Sequence, residues 1–141
     1  LKEGDSMQIA MHVSWDALKL RNQQHGIDWC APEVLPSVEI PSALFDCVAD
    51  NLLDNVIRKR QSETGIRISV ELQLEPLRLL VIDSGTPIPE KLAVKLLHGA
   101  VVSEGGLGIG LYQAARWAEQ MGYSLVLVSN QESRVGFELR G

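Results

Sequence analysis

The chain has 141 residues, 45% of them hydrophobic, and a formal net charge of −5. That length carries one domain with a real core, and that hydrophobic share excludes a disordered chain. The acidic balance argues against broad binding to nucleic acid or to an acidic membrane surface, and no apolar run approaches the roughly 20 residues of a membrane helix.

Met7 to Val13 is apolar and reads as a short strand or a helical turn. Ser14 is placed to cap a helix from Trp15 to about His25, with Gly26 as its stop. Ile27 to Cys30 and Ser37 to Ile40 read as two short strands flanking a Pro32/Pro36 loop. Pro41-Ser42 opens a strong helix to about Arg60, because Leu44, Phe45, Val48, Leu52 and Val56 recur at helical spacing. After a Thr64-Gly65 turn, Arg67 to Leu74 alternates as a strand, with Ile68, Val70, Leu72 and Leu74 on one side. Glu75-Pro76 makes a hairpin turn into a more buried strand, Leu77 to Ile82, which ends at Asp83. Glu90 to His98 reads as a short helix or ordered lid segment and Ala100 to Gly106 as loop. Leu111 to about Met121 is a helix ended by Gly122, with Leu111, Ala114, Ala115, Ala118 and Met121 inward. Ser124 to Val128 and Arg134 to Leu139 close a hairpin around Asn130 to Ser133. The sum is about three helices over one mixed, largely antiparallel sheet, an α+β two-layer sandwich.

Three stretches carry chemistry. Asn51 and Asn55 stand at i and i+4 on one helix, so their amides share a face, and Arg58 lies a turn further along. Neutral amide oxygens suit a hard cation already balanced by phosphate charge; taken alone, the pair reads first as two solvated asparagines on an ordinary helix. Asp83 stands at the end of an aliphatic strand, where a carboxylate can accept a hydrogen bond from an exocyclic amine; Asp83-Ser84-Gly85 alone is also a common Asx turn. Gly106-Leu107-Gly108-Ile109-Gly110-Leu111 runs into a helix, and glycines before a helix N-terminus let the backbone approach a phosphate closely.

In that order the three resemble the Bergerat nucleotide fold shared by histidine kinases, type II topoisomerases, Hsp90 chaperones and mismatch-repair ATPases. The chain looks most like the catalytic and ATP-binding domain of a bacterial sensor histidine kinase. Asn51-Leu52-Leu53-Asp54-Asn55 matches that family's N box, Asp83-Ser84-Gly85 its first glycine box and Gly106 to Leu111 its second. The resemblance implies that ATP and Mg²⁺ bind here. It gives catalytic roles to Asn51, Asn55 and Arg58, with Asn55 as the Mg²⁺ ligand. Arg58, with Lys59 beside it, stands where the family often has a basic residue near phosphate. It implies that Asp83 takes the adenine amino group, with Gly85 and Ile88 in the same nucleotide-binding set. Gly106, Leu107, Gly108, Ile109, Gly110 and Leu111 then form the phosphate cradle.

Asn51 bears on the subfamily. Hydrolysing members usually have glutamate there as the base that activates water, and an amide cannot take that proton. The sequence also departs from the family: Pro87 replaces the second glycine of the first glycine box, and no phenylalanine-rich segment stands between Glu90 and Gly105. Lys91, Lys95 and His98 are the basic groups of that segment. His12, His25 and His98 read as structural or exposed, so the phosphoacceptor histidine is expected on a separate upstream dimerisation domain.

The expected function is therefore presentation of the γ-phosphate of Mg–ATP to that histidine, with a response regulator served through the longer kinase. A degenerate nucleotide-binding or interaction module, and a related ATPase or anti-sigma serine kinase, remain as alternatives. The expected domain spans residues 1–141, with 1–5 as linker, within a longer protein whose cytoplasmic part this is. No direct contact with membrane or nucleic acid is expected. Cys30 and Cys47 fit a reduced compartment better than a disulfide scaffold.

Overall fold

The computed structural model describes residues 8–33, 35, 38–74, 76–97 and 107–141, with the backbone alone at Gln8 and at 107–109. Among the described residues seven strands and four α-helices follow one another: β1 (Gln8–Ala10), α1 (Met11–Arg21), β2 (Asp28–Cys30), β3 (Glu39–Pro41), α2 (Ser42–Ser62), β4 (Ile68–Gln73), β5 (Arg78–Asp83), α3 (Glu90–Lys95), α4 (Leu107–Gln120), β6 (Ser124–Gln131) and β7 (Arg134–Arg140).

Alternation builds the main sheet, whose order is β2-β4-β5-β7-β6. Only β2 and β4 run parallel; the other pairs are antiparallel. The register aligns Leu72, Leu79 and Leu139 in one row and Val70, Val81 and Phe137 in the next, all buried. Side chains two apart share a face, so Asp83 continues the inward row of Leu79 and Val81. Its neighbours across the sheet are Ile68 and Val135. The strand therefore carries a carboxylate into the helix-covered side, where it is 3% exposed.

Helices cover that side. α2 buries Leu44, Phe45, Val48, Ala49, Leu52, Leu53 and Val56, each of the larger ones contributing roughly 1.5–3 kcal/mol of transfer free energy. It packs most extensively against α4, whose Leu111, Ala114, Ala115 and Ala118 are buried. Alanines on that face let the two helices come close. Met11, Trp15 and Leu18 of α1 complete the core.

Four expectations are corrected. α1 begins at Met11, and Ser14 lies inside it, 4% exposed, rather than capping it; the Met11 N–H is instead satisfied by Val38 O at 2.7 Å. β3 leaves the main sheet and pairs with β1 in a two-stranded ribbon. α4 begins at Leu107, so Gly108 and Gly110 are helical rather than part of a preceding loop. β6 runs on to Gln131, so Asn130 belongs to a strand, and the hairpin turn is only Glu132-Ser133. Gly26 and Gly122 do end their helical segments, at φ +63° and +84°, where a side chain would be strained. The expectations for Gly106, His98 and the loop from Ala100 fall outside the described residues.

Candidate functional site

A cavity of about 660 Å³ opens between α2, the end of β5, the segment after it and α4. That volume lies within the range of small-molecule pockets. Val56, Ile88, Leu92, Leu96, Leu111 and Phe137 give it apolar walls; Asn55, Arg58, Lys59, Glu63, Asp83 and Thr86 give it polar ones.

Of the residues singled out in the sequence, Asn55, Arg58, Lys59, Asp83, Ile88 and Leu111 therefore line one cavity. Asn51 stands apart from its lining. Its Nδ2 donates to Cys47 O at 2.8 Å on its own helix, and its Oδ1 lies against Gly110 of α4. A Cβ on Gly110 would run into that oxygen, so glycine is what lets α4 close over the asparagine. Beside it the Cys47 thiol has its pKa pushed up by burial. Gly106 lies outside the described residues.

Asp83 is the centre of the polar wall. Its Oδ1 accepts from Lys59 Nζ at 3.0 Å and from the Gly85 N–H at 2.8 Å. The side chains of Lys59 and Asp83 are 19% and 4% exposed, so the ion pair is largely shielded from water. Lys59, expected beside the phosphates, is thus at the carboxylate; standing four residues after Asn55, it continues the asparagine stripe. Gly85 leaves room for its neighbours: a Cβ there would meet Ile66 Cδ1 at 2.7 Å and Lys59 Cε at 2.8 Å, so those side chains would have to shift.

Glu63 and Asn130 help tie down the segment after Asp83, where Lys59 Nζ also donates to Thr86 O at 2.6 Å. Thr86 donates from its N–H and its hydroxyl to the two oxygens of Glu63, at 2.9 and 2.8 Å. These bonds, with Lys59 nearby, hold the Glu63 carboxyl below its usual range. Asn130 then brackets Ile88, accepting from its N–H at 2.7 Å and donating to its C=O at 2.9 Å. Pro87 and Pro89 have no N–H, so Ile88 supplies the only amide donor between Thr86 and Glu90. Glu63, Thr86 and Asn130 gave no signal in the sequence, since nothing periodic links residues so far apart.

His12 is exposed on α1, and His25 ends a 3-10 turn whose backbone oxygen accepts from Arg60 Nη1 at 2.9 Å; neither faces the cavity. Lys91 and Lys95 are exposed on α3. Among the described residues no three His, Cys, Asp or Glu side chains gather as a metal cage. Asn55 and Gln61 are the neutral amides of the cavity lining, a donor type that suits a divalent cation beside a ligand's own oxygens. No described helix is long and apolar enough to cross a membrane.

Comparison with known proteins bears on the family and the fold. The family model described as "Histidine kinase-, DNA gyrase B-, and HSP90-like ATPase" matches residues 42–140, from the start of α2 to the end of β7. The sensor protein LytS of Enterococcus faecalis is 23% identical over 109 residues, 77% of this chain. The chain spans only 18% of the length of that relative. Crystal forms of the nucleotide-free catalytic domain of the histidine kinase ThkA superpose with a TM-score of 0.72 at 20% identity, covering 95% of this chain and 94% of theirs. A further form gives 0.70 at 23%, covering 95% of each chain. The α+β sandwich with a mixed sheet is thus the fold of histidine kinase catalytic domains.

Proposed function

The chain belongs to the histidine kinase-, DNA gyrase B- and HSP90-like ATPase family, and from that premise we propose that it binds Mg–ATP and presents the γ-phosphate to a histidine on a separate domain. The observation that carries this reading is Asp83, a buried carboxylate in the wall of a cavity large enough for a nucleotide, reached along the same inward row as Leu79 and Val81.

In this reading Asp83 takes the exocyclic amine of adenine, and Gly85 and Ile88 form the adjoining wall. Asn55 supplies a neutral oxygen to the cation and Arg58 a positive charge toward the phosphates. Gly106 to Leu111 are the phosphate cradle of this reading, because the N-terminal end of a helix such as α4 suits an anion. Mg²⁺, when bound, offsets phosphate charge and orients the γ-phosphate. The chain's own work is positioning, because an outside imidazole supplies the nucleophile. Asn51 is an amide bonded to Cys47 O and closed under Gly110, which speaks against a water-activating role. The longer protein then contributes the dimerisation and acceptor domain and passes the phosphoryl group to a separate response regulator, with this domain on the cytoplasmic side.

The test is calorimetric titration with ATP and a non-hydrolysable analogue, with and without Mg²⁺, followed by mixing with the cognate acceptor domain. The expected result is Mg-dependent binding, slow ATP turnover by the chain alone, and acid-labile phosphate on the added histidine. Phosphate on His12, His25 or His98, or brisk turnover that survives Asn51→Ala, overturns it.

A further inference from the structure

We infer that Lys59 reads the nucleobase together with Asp83, its ammonium donating to a ring nitrogen while the carboxylate accepts from the neighbouring amine. The inference rests on the nucleotide-binding reading above and adds to it a residue that determines specificity. Lys59 Nζ lies 3.0 Å from Asp83 Oδ1 and 2.6 Å from Thr86 O. These are its hydrogen-bond partners among the described residues, and an ammonium has three N–H groups. One donor is therefore left for a third acceptor, and both Lys59 and Asp83 line the cavity.

The pair is held in place. Lys59 Cε packs over Gly85, where a Cβ would displace it, and the Gly85 N–H donates to the same carboxylate oxygen. Asp83 is the deeper of the two, 4% exposed against 19% for the lysine side chain. A fixed acceptor with a fixed donor just outside it fits a base edge that presents a donor, then an acceptor. Adenine presents that order, its 6-amino group beside N1. Guanine presents the reverse, placing a 6-oxo group against the carboxylate and an N1–H against the ammonium. Both bonds to adenine are charge-assisted, and the two charges already neutralise one another before the base arrives. Binding therefore brings no unpaired charge into the site.

The experiment compares ATP with 1-deaza-ATP and 7-deaza-ATP by calorimetry on the wild-type chain. Loss of the N1 acceptor should weaken binding about tenfold, whereas loss of N7 should leave it within about twofold. Lys59→Met, which keeps the apolar stem, should bind ATP and 1-deaza-ATP equally. Equal wild-type affinity for ATP and 1-deaza-ATP overturns the inference, as do equal losses with the two deaza analogues, which would point to stacking. Tighter ATP binding by Lys59→Met also overturns it, since the lysine would then compete with the base. If that variant does not fold, the wild-type series decides alone. Absence of any ATP binding removes the nucleotide reading itself, a result distinct from each of these.

Discussion

Asn130 and Ile88, 42 residues apart, exchange two hydrogen bonds, so one side-chain amide on β6 does for Ile88 what a neighbouring strand would do. Proline on both sides of Ile88 makes this the available way to pair that backbone. The clamp fixes one wall of the cavity against the main sheet. Asn130→Ala should cost roughly 1–3 kcal/mol in denaturant titration, because two part-buried backbone groups lose their partner. Asn130→Asp should cost a comparable amount, since a carboxylate can accept from Ile88 N–H but cannot donate to its C=O. Stability unchanged in both would show that solvent replaces the clamp.

Asp83 should select adenine. Wild-type protein should bind ATP and ADP well and GTP poorly, because a carboxylate accepts from a 6-amino group and repels a 6-oxo group. Asp83→Asn should lose that preference while circular dichroism reports a retained fold. Equal wild-type affinities for ATP and GTP count against the role.

Asn55→Ala should weaken Mg–ATP binding at least about tenfold, the loss of one amide contact of roughly 1.5–3 kcal/mol to a charged group. Binding of ATP measured without Mg²⁺ should change far less. Equal losses in the two conditions would place Asn55 against the nucleotide rather than the cation.

Gly110→Ala separates stability from function. Alanine gains roughly 0.5–1 kcal/mol of helix propensity over glycine, but its methyl group would displace Asn51 Oδ1 and strain the Asn51–Cys47 bond. The expected result is near-unchanged stability with slower phosphotransfer in the mixed assay. Wild-type transfer in a folded variant would show that the position of Asn51 is unimportant.

Glu63 gives a pH signature. Its carboxyl is held below the usual range by the Thr86 N–H and hydroxyl and by nearby Lys59, so the folded chain binds its proton less readily than the unfolded chain does. Its contribution is fully present above the ordinary glutamate value of about 4.3 and is lost as pH falls through the depressed one. Urea midpoints of wild type and Glu63→Gln should therefore differ at about pH 7 and converge as pH falls through the depressed value. A difference constant over that range would show that ionisation of Glu63 is not what holds Thr86.

Local features of the chain determine part of this arrangement. The 3.6-residue period of Leu44, Phe45, Val48, Leu52 and Val56 located α2 and its buried face. Alternation gave the buried side of β4, and the apolar run of β5 put Asp83 at a strand end, though only the register turned that carboxylate inward; Gly26 and Gly122 marked their turns through the positive φ that glycine takes without strain. The order of the asparagine pair, the Asp-Ser-Gly strand end and the glycine-rich stretch was enough to identify the family. These features are local, and local backbone preference and side-chain period report which way a residue faces. The partners of the polar residues were decided only by the tertiary structure. Lys59 meets Asp83 across 24 residues, Thr86 meets Glu63 across 23, and Ile88 meets Asn130 across 42. Each pairing depends on sheet register and on how close α2 lies to the strand ends. Those distances are set when the whole core packs, and no window of sequence contains them.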